Sequence, residues 1–464
     1  MENSTMLNAM IQRVMTEKAF LGRIGMSEQE MKTFLKEQKM REICVDLLAF
    51  VSREGRFISQ NVLKATEDLL NTMSPVPKEG RLINAYNSVL FYLFPEKKVF
   101  FDDSEQISKS RLFFLQLLKA LYKYERKTLP FDPTVDFCLL SRDETDAGEY
   151  EEEYLKLLEL SDTRYLYEFM RLGVDLTPFN TLGHIAGVHY VAMHAARQLS
   201  SLRIPVDLGL VSGAAAGHDI GKYGCKKSEE KRVPYLHYYY TDLCFNRFGM
   251  PMTGHIAANH STWDLELDNL SVESLLLIYA DFRVKSSRNE EGAEVVRFYD
   301  LEQSFKVILD KLDNVDQAKE HRYRKVYNKL KDFENYMMDL GVVVDLPSVP
   351  VRTPEIPLPR PVKDFSLLSG SQVVEELKHL SVEHNIKLMN KFYKQEEFAG
   401  LLETARSEKQ WKNLRTYISI FGEYSAYMTE KQKLMTLRFL SELLVHRESD
   451  IRNQAAEIIG QIIA

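Results

Sequence analysis

Cysteine is scarce in this chain and scattered. Cys44, Cys138, Cys225 and Cys244 are the only four in 464 residues, and no two form a Cys-x-x-Cys pair. That excludes a disulfide framework and leads us to expect reduced thiols in a cytoplasmic protein. Long apolar runs are missing too, so no membrane span and no membrane partner are expected. Met1 to Lys18 is polar and mixed, without the basic-then-apolar order of a signal peptide. Excess basic charge is also absent: 60 Lys and Arg stand against 67 Asp and Glu, for a net charge of -7, and the pI is near 6.0. Such a balance leaves no general footprint for nucleic acid, which is not an expected partner. Any anion recognition must be local. Nor is there a Ser-His-Asp constellation or a phosphate-cradling loop, since Gly221-x-x-Gly224 is too short and wrongly placed for one.

What the chain does have is enough apolar material for real cores, 45% by residue. Its length suits roughly two to four domains. Helical periodicity of about 3.6 residues dominates, and we expect an all-α fold. Residues 1–165 read as an N-terminal helical domain, with helices over Met40–Val51, Val62–Leu70 and Ser110–Tyr122. The acidic run Asp143–Glu153 reads as a solvated loop and helix start. Residues 166–343 read as a central domain with a helical extension. Arg288–Glu294 is expected to be a charged loop, Val342–Val344 a short β-like stretch, and His321–Lys325 part of a solvated helical face. Prolines 347, 350, 354, 357, 359 and 361 mark residues 344–364 as an extended linker. Residues 365–464 form a second helical region.

The chemistry concentrates between Asn180 and Arg283. An apolar run from Leu208 to Ala216 leads into Gly217-His218-Asp219-Ile220-Gly221-Lys222, then a turn-like Tyr223-Gly224. Consecutive helical residues point about 100° apart, so His218 and Asp219 suit one cation only where the helix is ending. Lys222 adds a positive charge within a turn. Together these suggest a metal site that handles an anion, most naturally a phosphate.

Upstream, a helix beginning near Thr181 carries three histidines that cannot share one ion. His189 lies about 140° around the axis from His184, and His194 about 80° the other way. His184, beside its i+4 partner Val188, points inward, whereas His189 and His194 are expected at the boundary or surface. Downstream, an aromatic-rich helix over Tyr235–Phe248 contains His237 and ends at Gly249-Met250-Pro251. The next helix holds His255 and His260, of which one at most faces a given site. A third, Ser271–Val284, carries one interior carboxylate, Asp281, among leucines. Burying that group is costly unless it is paired or bound to metal; a salt bridge to Arg283 or another base is the alternative.

The series His184…His218-Asp219…His237…His260…Asp281 resembles the HD-domain metal-dependent phosphohydrolases over about 110 residues. The resemblance implies His184, His218, Asp219 and Asp281 as core ligands, with His237 and His260 similar to the added ligands of two-metal members. It implies divalent cations, two in number, drawn from Mn, Fe, Ni, Co or Zn with Mg possible. It further implies hydrolysis of a phosphomonoester or phosphodiester, including nucleotides and cyclic nucleotides, with catalytic roles for Asp219 and Lys222 and phosphate binding by Lys222. A Gly-Tyr-Pro after paired histidines is absent, since Ser261-Thr262-Trp263 follows His260, and position 180 is Asn, which argues against a third metal.

The C-terminal stretch, Leu434–Leu444 followed by Ser449–Gly460, looks like a HEAT repeat, with Asp450-x-Arg452-x-x-Ala455-Ala456 opening its second helix. Such repeats bury their faces only against neighbours and present surfaces to protein partners. The apolar Ile462-Ile463-Ala464 suggests either a continuing chain or a covering partner. The alternative to an enzyme is therefore a non-catalytic scaffold or sensor that binds a phosphorylated ligand or a protein.

Overall fold

The computed structural model describes residues 2–73, 81–95, 108–145, 148–177, 181–225, 229, 232–260, 270–290, 293–311, 317–348, 350 and 392–463. Among the described residues the fold is all-α apart from one two-stranded hairpin. The chain divides into two compact units, 1–224 with 241–373, and 225–240 with 374–464. Asn180, Ser261–Trp263, Lys226–Lys227 and prolines 354, 357, 359 and 361 lie outside the described residues.

In the first unit, the N-terminal helices are α1 (Glu2–Met15), α2 (Lys18–Ile24), α3 (Glu28–Leu35), α4 (Gln38–Glu54), α5 (Ser59–Met73), α6 (Arg81–Leu93) and α7 (Lys109–Thr128). Then come α8 (Arg142–Thr145), α9 (Glu151–Thr163), α10 (Leu166–Leu176), α11 (Leu182–Ser201), α12 (Leu208–Gly217) and α13 (Gly221–Gly224). After α14 (Val233–Arg247) follow α15 (Pro251–Ala258), α16 (Val272–Arg283), β1 (Val284–Arg288), β2 (Glu294–Phe298), α17 (Leu301–Lys311) and α18 (Gln317–Asp339). Helix α7 is the N-terminal spine. Its residues from Leu112 to Leu121 are almost all buried, and it packs against α1 and α5. Helices α11 and α12 form the centre of the unit, and α16 lies against both.

Several boundaries are set by side chains that meet otherwise unpaired helix-end amides. Ser271 starts α16 by accepting from the Ser274 amide at 3.1 Å. Asp207 does the same for α12 through the Leu210 amide at 2.8 Å. Other helices are capped from far away in sequence. Glu153 takes the amides of Met252 and Thr253, at 3.2 and 2.8 Å, and so caps α15. Glu144 meets Arg197 at 2.9 Å. The acidic run over 143–153 is therefore not simply a solvated stretch: two of its carboxylates serve buried partners.

Other expectations are also corrected. Among the described residues Val342–Val344 has no strand partner and the strands are β1 and β2, paired antiparallel from Val284↔Phe298 to Arg288↔Glu294. Tyr223-Gly224 closes a short helix, α13, rather than a turn. Arg324 in the basic stretch of α18 is exposed and paired with Glu320 at 2.7 Å, as a solvated helical face should be.

In the second unit, α19 (Gln395–Ser407), α20 (Trp411–Glu423), α21 (Glu430–Leu443) and α22 (Ser449–Ile463) surround one apolar cluster. Phe392, Phe398, Ile418, Phe421, Phe439 and Ile451 are buried there. Gly422 lets α20 approach α22, because a Cβ at that position would collide with Ile458.

Candidate metal centre

His184 sits in the first turn of α11. The N-cap residue Thr181 supplies no side-chain hydrogen bond to that helix end. Glu294, at the start of β2, supplies it instead: its carboxylate accepts from the Gly183 amide at 3.0 Å and from the His184 amide at 3.3 Å. His218 caps the C-terminal end of α12. The turn after it is stitched by Thr241, whose hydroxyl donates to the His218 carbonyl and accepts from the Gly221 amide, both at 3.0 Å. Gly217 brings this turn close to Phe245, with whose ring a Cβ would clash at 2.5 Å.

The four core residues meet. The Nε2 of His184 lies 2.9 Å from Asp281 Oδ1 and 3.7 Å from Asp219 Oδ2. The Nε2 of His218 lies 3.8 Å from Asp219 Oδ2 and 4.0 Å from Asp281 Oδ1. On the other side of Asp219, Oδ1 is 3.8 Å from His260 Nε2. The rings of His184 and His218 are 5.3 Å apart, and those of His218 and His260 4.8 Å. Bonds of about 2.0–2.2 Å to a divalent cation place neighbouring donors roughly 3–4 Å apart, so this spacing fits one.

The protonation pattern fits as well. The carbonyl of Ala215, 2.9 Å from His218 Nδ1, only accepts, so Nδ1 carries the proton. Nε2 is then a lone-pair donor; it is buried and has no hydrogen-bond partner. Burial pushes this imidazole down to about 3, which keeps it neutral. His260 repeats the device, with Nδ1 2.6 Å from the Ala257 carbonyl. Backbone anchoring of one ring nitrogen, which orients the other, is how imidazole ligands are commonly set.

Asp281 is held in its charged form. Burial alone would raise its carboxyl, but the contact with His184 and the nearby Lys285 outweigh that and hold it far below the ordinary range. Arg283 is not its partner. That guanidinium goes to the Tyr299 and Val344 carbonyls and the Tyr279 hydroxyl.

Lys222 differs from the expectation of a phosphate-facing cation. Its ammonium lies 2.5 Å from Asp219 Oδ2, and its side chain is 26% exposed. His237 lies in the second unit, on the first half of α14, with Nδ1 2.8 Å from the Val233 carbonyl. His255 is set against Asn259. His189 and His194 are buried rather than at the surface. His189 Nε2 lies 2.9 Å from Ser212 Oγ and its Nδ1 3.5 Å from Cys138 Sγ, while His194 Nε2 lies 2.7 Å from the Val343 carbonyl.

Sequence reasoning missed Glu294 and Thr241. Neither belongs to a spaced motif, and Glu294 reaches His184 from 110 residues away. Compared with known proteins, the chain matches no family model, no curated protein and no solved structure.

Proposed function

We propose that the first unit carries a metal-dependent phosphohydrolase site of the HD type. The observation that supports it best is the convergence of His184, His218, Asp219 and Asp281 around the buried, unpartnered Nε2 of His218. Imidazole nitrogens mixed with carboxylate oxygens suit Mn, Fe, Co, Ni or Zn, with Mg less well matched. A divalent cation held by these residues supplies an acidified water and charge neutralisation at a phosphoryl oxygen.

The chain's own residues do the rest. His218 and His184 present nitrogens from two different helices. Asp219, which is buried, and Asp281, which is partly exposed, offset positive charge between them. Asp219 also faces His260 with its second oxygen, so His260 is proposed as a further ligand; the resemblance extends that role to His237. Lys222 is proposed to leave Asp219 and meet a phosphoryl oxygen when a phosphate ester binds, where a fixed positive charge stabilises the charge that develops. The second unit is proposed to be HEAT-like and to engage a protein partner.

A binding-only reading draws on the same lysine. An ammonium held against Asp219 is not itself presented toward a substrate, as suits a sensor that retains its ligand. Hydrolysis of p-nitrophenyl phosphate and bis-p-nitrophenyl phosphate with added Mn separates the two readings. The enzyme reading expects turnover of at least one ester, abolished in Asp219→Ala. Cation binding with no turnover of either ester favours the sensor.

A further inference from the structure

The hairpin after Asp281 reaches back to the helix that carries His184. Strand β1 continues from α16 without a break, and Lys285 in it donates to the Asp281 carbonyl at 2.9 Å. Strand β2 then brings Glu294 onto the amides of Gly183 and His184. The two surfaces are closely fitted. A Cβ on Gly183 would lie 2.7 Å from Val296 and 2.9 Å from Glu294, and one on Gly187 would lie 3.0 Å from Val284 and 3.3 Å from Phe298. One hairpin thus spans from the helix of Asp281 to the first turn of α11. Those helices carry His184 and Asp281, which at 2.9 Å are closer than the other contacts among the four core residues.

We propose that Glu294 is a positioning residue for the cation site. Its carboxylate bridges two successive amides at the start of α11, where the helix dipole favours negative charge, and so fixes the turn from which His184 points at Asp281. This rests on the cation-binding reading above. The contact is also one that is able to change without unfolding the protein. A cavity of about 300 Å³, lined by Arg56, Arg171, Leu182, Gly183, Glu294 and Val296 among others, adjoins it. Amides released by truncating Glu294 therefore find water instead of being buried without partners.

The test is titration of the metal-free 464-residue chain with Co(II), followed by calorimetry and by the visible absorption of the bound ion. Glu294→Ala should weaken Co(II) binding about 10–100-fold, the usual effect of removing a group that orients a ligand. Its absorption band should change, while helical circular dichroism stays as in the wild type. Glu294→Gln keeps one acceptor oxygen and should fall between the two. Wild-type affinity and spectrum in Glu294→Ala would overturn the role of Glu294 and leave the cation site standing. Absence of Co(II) binding by the wild type would overturn both.

Discussion

His189 and His218 are both fully buried imidazoles, and burial pushes each down to about 3. Their surroundings separate a core residue from a candidate ligand. His189 has partners on both nitrogens, Ser212 and Cys138, and packs edge-on against Phe137. His218 has one nitrogen satisfied and the other aimed at two carboxylates. His189→Ala should therefore cost about 1–3 kcal/mol of stability, by leaving Ser212 and Cys138 short of a partner, and leave cation affinity unchanged. His218→Ala also removes a buried hydrogen bond, to the Ala215 carbonyl, but should in addition abolish cation binding. Urea unfolding and a cation titration on the same preparations check the contrast. The inward direction of His184 was legible from its spacing to Val188, but the burial of His189 was not. A helical-face argument assumes one wet face, and α11 is buried around almost its whole circumference.

Glu168 gives a second test on a single group. It is 2% exposed, and its Oε2 has no hydrogen-bond partner. Burial raises its carboxyl from 4.5 to about 7, with Arg126 and Lys119 only partly opposing this. The folded state then binds a proton that the unfolded state has released, so this group lowers stability as pH rises from about 4.5 to about 7. Glu168→Gln should stabilise the protein by about 1–2 kcal/mol above pH 7 and have little effect below pH 4, since the amide still lacks full pairing. Denaturant midpoints measured across that range decide it; equal differences at both ends would refute the assignment.

Among the elements, α12 and its exit turn have little room to vary. A methyl group on Gly217 meets the rigid ring of Phe245, and Thr241 ties the following carbonyl from the same helix, α14. Gly217→Ala should displace that ring or the turn at a cost of about 1–3 kcal/mol. It should also weaken cation binding, because His218 is the next residue. Thermal unfolding with and without added Mn reports both effects: the mutant should have a lower midpoint and a smaller rise on adding Mn. The helices were legible in outline, since α14 and α16 lie close to the expected Tyr235–Phe248 and Ser271–Val284, and α11 begins near Thr181. The hairpin was not. Its strands, Val-Lys-Ser-Ser-Arg and Glu-Val-Val-Arg-Phe, are short and mostly half-buried, without the alternation that marks a strand. That omission hid Glu294, whose role depends on the β1–β2 register rather than on local sequence.

At the scale of the molecule, the all-α class followed from periodicity alone, and no helix among the described residues is long and apolar enough to cross a membrane. The division into units was less legible. Residues 1–165 and 166–343 both fall within the first unit, apart from Cys225–Tyr240, because their helices share buried faces that composition does not reveal. That three distant segments join at one place was implied by the resemblance alone, and the side chains of His184, His218, Asp219 and Asp281 do lie near one another. What the spacing did not reveal is how the backbone orients the rings of His218 and His260, which depends on the local carbonyls at the ends of α12 and α15.

The central claim is that this convergence binds a divalent cation. Its most direct test is the metal retained by the 464-residue chain after reconstitution with Mn, Fe, Co, Ni or Zn and dialysis, measured by elemental analysis beside Asp219→Ala. Roughly one equivalent or more in the wild type is predicted. Asp219→Ala should lose it with helical circular dichroism unchanged. Equal metal in both proteins, or none in the reconstituted wild type, would contradict the account.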